Sequence, residues 1–99
     1  MFSLSQFKRW VDHHPGSKIV VTAYSPEHFT IDCLRAGKKI SAADRKLQPL
    51  IFPSVKSVKH QLTKHGINLV YLDYDDEFDG ERDIEQLLWQ EGLLVMALA

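Results

Sequence analysis

Acidic side chains are concentrated in one short stretch of this 99-residue chain, residues 73–85, which we call the acidic loop. Its carboxylates recur at alternate positions up to Gly80, and Asp83 directly precedes an apolar pattern. Oxygen ligands at alternate positions of a turning loop can converge on one Ca²⁺, as they do in EF-hand loops. Residues 75–86 are therefore a candidate divalent-cation loop. Its ligands would be Asp75, Glu77, Asp79 and Asp83.

Two positions depart from the calcium-loop pattern. The twelfth position is Gln86, where such loops carry a bidentate Glu, and Arg82 stands where they bury an aliphatic side chain. The sequence therefore leaves a second interpretation open. Acids at the start of a helix complement its dipole, so that Asp79 or Asp83 would serve as the N-cap of a third helix and the other acids would face solvent.

A third interpretation is that the acidic loop is a docking surface for a basic protein partner. Two aromatic residues lie among the acids, and aromatic side chains are frequent anchors of protein interfaces. We expect a non-enzymatic protein-interaction or regulatory module that uses this loop. The residues expected to contact the partner are Tyr74, Asp75, Asp76, Glu77, Phe78 and Asp79.

Positive charge is concentrated in the earlier part of the chain. Residues 1–72 carry eleven Lys and Arg residues against four acids, whereas residues 73–99 carry one against nine. Lysines on a predicted helix over 55–65 lie off its apolar stripe and could bind phosphates. Nucleic-acid binding is disfavoured, because Phe52 is the only aromatic residue available for base stacking within residues 35–64. This alternative site would comprise Lys56, Lys59 and Lys64.

Motifs of known catalytic or zinc-binding type are absent from the sequence. The five histidines do not have zinc-ligand spacing, and there is neither a nucleophile elbow nor a glycine-rich phosphate loop. Cys33 is the only cysteine and shares a face with Phe29 and Ile31, which predicts a small buried thiol and not a nucleophile. We therefore expect no enzymatic activity and no cofactor.

Composition also restricts compartment and partners. A single cysteine fits a reducing compartment, the first residues lack a secretory leader, and no window approaches the roughly 18 apolar residues of a membrane span. We expect a cytoplasmic protein with an unidentified protein partner and no membrane association. The oppositely charged regions could pair within one molecule or between copies, so a homo-oligomer is one alternative.

The charged regions must be positioned by a fold whose elements follow from periodicity. Apolar residues from Leu4 to Val11 recur at helical spacing, Ser3 with Gln6 can form a capping box, and Pro15 ends the helix. Phe7 and Trp10 are expected to dock this helix on a sheet. Two runs rich in β-branched and aromatic residues then predict antiparallel strands joined by a tight connection, at 18–24 and 28–35.

The second half of the chain predicts helices and strands in alternation. We expect a short third strand near Ile40, another at 50–52, and a helix capped by Ser54 that stops at Gly66. Residues 67–72 are apolar on nearly both faces, which predicts a central strand. Ile84, Leu87 and Leu88 indicate a short third helix. Gly92 favours a break, so that residues 93–99 form a last strand in preference to a helix extension.

Length and pattern together define the fold class. A chain of 99 residues is long enough for one hydrophobic core and too short for two, so we expect a single domain over residues 1–99. The predicted fold is α+β, an antiparallel sheet of four or five strands with two or three helices in a two-layer sandwich.

Part of the chain resembles a family of small uncharacterised proteobacterial proteins, a domain of unknown function. The resemblance covers about residues 18–80 and is carried by residues 50–54, the helix to Gly66, the strand over 68–72 and the run over 74–78. It implies a β-meander followed by a helix and a strand that ends in a Tyr-Asp-Glu-like motif. An extra Asp interrupts that motif here. Because the family has no assigned activity, the resemblance implies a fold and not a function.

Overall fold

The computed structural model describes residues 2–98. Helices and strands follow one another in the order α1 (Leu4–His13), β1 (Lys18–Ser25), β2 (His28–Arg35), β3 (Lys38–Ser41), α2 (Val55–Lys64), β4 (Leu69–Tyr74), α3 (Ile84–Gln90) and β5 (Leu94–Ala97). The α+β class, with five strands and three helices in the part described, agrees with the sequence prediction.

The five strands form one mixed sheet in the order β3-β2-β1-β4-β5. The first three strands are an antiparallel meander, whereas β4 is parallel to β1 and β5 is parallel to β4. The prediction of a wholly antiparallel sheet is therefore wrong. Helices α2 and α3 carry the chain back along the sheet, so the strand that follows each helix enters in the same direction as its neighbour.

Local sequence signals account for both long helices. Ser3 and Gln6 form the predicted capping box of α1, and Ser54 with Ser57 forms the equivalent box of α2. Each box satisfies amide groups that the first helical turn leaves unpaired. Helix α2 ends before Gly66, whose φ of +72° is a conformation that glycine adopts without strain. These predicted boundaries are confirmed.

All three helices contribute to one hydrophobic cluster with a single face of the sheet, which we call the core face. Alternate residues of β1 and β2 supply the strand side, and register pairs Ile19 with Cys33 and Val21 with Ile31. The buried helix residues are Leu4 and Phe7 on α1, Val58 and Leu62 on α2, and Ile84 and Leu88 on α3. Within residues 2–98, the cluster includes no side chain from the sheet's opposite face.

Of the strands predicted at 50–52 and 67–72, the structure has only the second. Residues 50–52 form only an isolated bridge between Phe52 and Phe29, because Ile51 is 59% exposed and no neighbouring strand continues the pairing. The predicted 67–72 segment forms β4, which lies inside the sheet between β1 and β5, as expected of a central strand. In β4, Leu69 is 45% exposed because its side chain lies on the opposite face, where no helix packs.

The end of the described chain follows the sequence prediction. Gly92 has a φ of +92°, which breaks the helical path after α3, and β5 follows as a strand. Across residues 2–98, none of the helices has both the length and the apolar character to span a lipid bilayer.

Truncation of the buried α2 residue Leu62 to alanine should lower the free energy of unfolding by about 3 kcal/mol, since the side chain is fully buried in the shared cluster. The matched control is Lys64→Ala on the exposed side of the same helix, which should change stability by no more than about 0.5 kcal/mol. Urea titration followed by circular dichroism measures both. Equal effects would contradict the helix orientation.

Candidate functional site

The acidic loop leaves the carboxyl end of β4 and packs against the turn between β1 and β2. The amide of Asp75 donates to the carbonyl of Ala23 at 2.9 Å, which continues the β1–β4 pairing into the loop. Gly80 lies against Pro26, and a Cβ on this glycine would be 3.0 Å from the proline ring. The φ of Gly80, +134°, also requires glycine. The contacts with Ala23 and Pro26 together fix the path of the loop.

Tyr74 and Phe78 hold the two halves of the loop together. Their rings meet edge to face at 4.9 Å and both are half-buried against the hydrophobic cluster. The Tyr74 hydroxyl oxygen accepts from the amide of Ile84 at 3.1 Å, at the start of α3. Arg82 places its guanidinium 4.9 Å from the centre of the Tyr74 ring. The contacts that the structure shows for these two aromatic residues are internal ones.

Most carboxylates of the loop point to solvent. Asp75 accepts from the amide of Glu77 at 3.1 Å, and Asp73 is bound by Lys39, as described below. Asp83 occupies the N-cap position of α3, but its side chain makes no capping hydrogen bond. The exposed acids of the segment are Asp76, Glu77, Asp79, Glu81, Asp83 and Glu85. None of these six takes part in an ion pair with a residue of the described range 2–98.

The four acids of the candidate cation loop do not form a ligand cage. Among the residues that the structure describes, no three His, Cys, Asp or Glu side chains are grouped so that they could hold a metal ion. The geometry therefore gives the divalent-cation interpretation of residues 75–86 no support.

The three lysines of the alternative nucleic-acid site lie on α2. Lys56 and Lys64 are exposed and Lys59 is half-buried. At about 100° per residue, the three are spread over about 140° of the helix surface and do not form one row. Neither ion pair of the described residues includes them. Their role in nucleic-acid binding stays a prediction.

The sheet's opposite face contains a polar network that the sequence analysis missed. The carboxylate of Asp32 is 1% exposed and accepts from three hydroxyls: Thr22 at 2.5 Å, Thr30 at 3.2 Å and Ser41 at 2.7 Å. These four side chains come from β1, β2 and β3 and are neighbours through strand register. Every buried side-chain nitrogen and oxygen of the described residues has a hydrogen-bond partner. The network thus satisfies a carboxylate that would otherwise be costly to bury.

Lys39 connects this network to the acidic loop. Its ammonium donates to the Thr22 hydroxyl at 3.1 Å and forms an ion pair with Asp73, the first residue of the loop. The side chains of Lys39 and Asp73 are 32% and 35% exposed, whereas Thr22 and Asp32 are almost wholly buried. Solvent reaches the Lys39–Asp73 end and, in part, Ser41, whereas the buried part joins strands together and does not present a reactive group.

One signal for this network is present in the sequence. Asp is depleted in β-strands, yet Asp32 stands in the middle of a run that otherwise reads as a half-buried strand. Thr22 similarly interrupts an apolar series. Two polar residues inside neighbouring predicted strands indicate a shared hydrogen-bonded site, although Lys39 and Asp73 could not be assigned to it without the fold.

The predictions for α1 and Cys33 can also be compared with the structure. Phe7 is buried in the cluster, and Trp10 is half-buried between the Arg35 guanidinium and the His14 ring, each 3.5 Å from the indole. The Cys33 thiol is buried as expected. Burial raises the pKa of this thiol, and the nearby positive charge of Arg35 opposes that rise in part. A buried thiol with a raised pKa is a poor nucleophile.

Comparison with known proteins adds no relative. The chain matches no family model, no curated protein and no solved structure.

Replacing Asp32 by alanine should lower the free energy of unfolding by about 3 kcal/mol, because three hydroxyls, two of them buried, lose their acceptor. Asp12→Ala is the matched control, since Asp12 forms an exposed pair with Lys8 on α1 that is worth at most about 0.5 kcal/mol. Chemical denaturation of the two variants measures both changes in the free energy of unfolding. If Asp32→Ala were no more destabilising than Asp12→Ala, the network would not contribute to stability.

Proposed function

We propose that this domain is a non-enzymatic, cytoplasmic protein-interaction module in which the acidic loop binds a basic surface of a partner protein. In this proposal the domain has two layers, with the helices on the core face and the opposite face of the sheet left open. The acids that contact the partner directly are Asp76, Glu77 and Asp79.

The observation that carries the proposal is a set of exposed carboxylates on a loop whose backbone is held in place. Six acids of the loop have no ion-pair partner within residues 2–98, so their charge is not neutralised by the described part of the chain. A hydrogen bond to Ala23 and the contact of Gly80 with Pro26 anchor the loop to the rest of the sheet, and the hydrogen bond between Ile84 and Tyr74 joins its two ends. A preorganised charged surface loses little entropy on binding and steers an oppositely charged partner toward it.

The two aromatic residues have a supporting role in this proposal. Tyr74 and Phe78 fix the loop through their mutual contact and their packing on the cluster. The parts of these rings that remain accessible would give the partner a small apolar contact between the acids. Asp75 also has a supporting role, because its carboxylate already accepts a hydrogen bond from the Glu77 amide within the loop.

Neutralising the three direct contacts tests the proposal. The combined variant Asp76→Asn, Glu77→Gln and Asp79→Asn removes charge and keeps side-chain shape. We expect it to lose most proteins that the unaltered domain captures from a native-host extract, with a fall in yield of about tenfold or more. Capture by the unaltered domain should also decline as ionic strength rises, since exposed charges are screened.

The control makes the same change of net charge outside the acidic loop, at three exposed acids: Asp12→Asn, Glu27→Gln and Asp44→Asn. It should capture the same proteins as the unaltered domain. If the loop variant and this control behaved alike, net charge and not the loop would govern capture. Unchanged capture by the loop variant would contradict the proposal.

Calcium titration discriminates this function from the divalent-cation alternative. We expect the amide resonances of residues 75–86 to stay in place up to millimolar Ca²⁺, because the described acids are not grouped as ligands. Two-dimensional NMR of the labelled protein measures these shifts. A saturable shift confined to this segment, lost in Asp75→Asn, would favour the cation site.

A further inference from the structure

Strand β5 is the edge of the sheet next to β4, and its hydrogen-bonding groups can be assigned to two sides. The Leu94 amide donates to the Asn68 carbonyl at 2.9 Å, and Leu94 and Met96 pair with Leu69 and Tyr71. In a parallel ladder, alternate residues direct both backbone groups to the same side. Leu94 and Met96 therefore bond to β4, and the backbone groups of Val95 and Ala97 point away from the sheet.

This edge lacks the charged residues and the proline that protect many edge strands. The sequence of β5 is Leu-Val-Met-Ala, with neither a charged residue nor a proline. The other edge of the sheet, β3, carries Lys38 and Lys39. Side chains beside the β5 edge are also apolar and exposed: Leu94 by 65%, Met96 by 51% and Leu69 by 45%. An uncharged apolar edge of this kind is suited to pairing with another strand.

We propose that two copies of this chain pair through β5, antiparallel about a twofold axis, so that the two sheets join into one. The geometry favours a register in which Met96 lies opposite Met96 of the second copy. Val95 of one copy then faces Ala97 of the other, and their outward amides and carbonyls exchange four hydrogen bonds. The Trp89 indole donates to the Val95 carbonyl at 3.4 Å, and that oxygen retains a second lone pair for the new bond.

Charge complementarity identifies a second copy as the occupant. At the carboxyl end of β5, Ala97 lies near Arg82 and Glu85, which line a shared surface cavity. At the amino end, Leu93 lines another cavity with Lys59 and Glu91. An antiparallel pair brings the carboxyl end of one β5 beside the amino end of the other. Glu85 then approaches Lys59 of the second copy, and Arg82 approaches Glu91 of the second copy, on both sides of the axis.

The contact goes beyond the proposed function, because it is made by backbone groups and apolar side chains of β5. Of the acids in the acidic loop, only Glu85 takes part in the ion pairs described above, and the direct contacts of the proposed function, Asp76, Glu77 and Asp79, are not needed for pairing. The two proposals can therefore fail separately.

Cysteine crosslinking tests the register directly. A non-hydrogen-bonded antiparallel pair has its Cα atoms about 4.5 Å apart, a separation that a disulfide can bridge. Oxidation of Met96→Cys should convert the protein into a covalent dimer that reducing agent reverses. Leu69→Cys is the matched control, since Leu69 is exposed on the same face but one strand further in, and this variant should not form the covalent dimer. The native Cys33 is buried and does not interfere.

A proline at the edge tests the backbone contact. Ala97→Pro removes an amide that points away from the sheet, so the fold should be kept while two of the four intermolecular hydrogen bonds are lost. We expect the dimer dissociation constant, measured by sedimentation equilibrium of the 99-residue chain, to rise about thirtyfold. An unchanged circular dichroism spectrum shows that the variant is folded.

Each outcome decides for or against the pairing. Concentration-dependent dimerisation of the unaltered chain, crosslinking of Met96→Cys above the Leu69→Cys control and dissociation by Ala97→Pro together support it. A chain that stays monomeric up to millimolar concentration, or crosslinking no greater than in the control, overturns it. Dimerisation that Ala97→Pro leaves intact would place the interface elsewhere, and binding of an added β5-sequence peptide by a monomeric chain would indicate peptide capture instead.

Discussion

Parallel pairing of β4 with β1 is the constraint on which the rest of the structure depends. Because α2 returns the chain along the sheet, β4 runs in the same direction as β1 and ends beside it. The acidic loop therefore starts at the same end of the strands as the turn between β1 and β2, where it packs against Pro26. The same pairing places Asp73 next to Thr22, within reach of Lys39.

The two faces of the sheet bury different kinds of side chain. Apolar side chains of the core face are removed from water by three helices, and this burial is the main source of stability. The opposite face buries a carboxylate instead, and three hydroxyls supply the hydrogen bonds that water would otherwise provide. Directional bonds of this kind require each strand to be in one register, since a shift by one residue would move the hydroxyls to the other face.

Negative and positive charge remain apart in the folded molecule to a large extent. The ion pair between Lys39 and Asp73 is the one described contact between the acidic loop and a lysine of the chain. The other acids of the loop stay in solvent, where mutual repulsion is screened and modest. A surface that keeps its charge unpaired is available to a partner of opposite sign, and the uncharged β5 edge beside it is available to another strand.

The sequence by itself determined what depends on neighbouring residues: the capping boxes at Ser3 and Ser54, the amphipathic stripes of the helices, the hairpin of β1 and β2, the break at Gly92 and the exposure of most loop acids. Tertiary structure alone decided the direction and order of the strands, because pairing joins residues far apart in the chain. It also decided the exposure of the apolar segment around Leu69, half of which faces away from the helices. The fold likewise brought the side chains of Thr22, Asp32, Lys39 and Asp73 into one hydrogen-bonded network. Local periodicity carries no information about which distant strand becomes a neighbour, and a hydrogen-bonded network exists only once that neighbour is fixed.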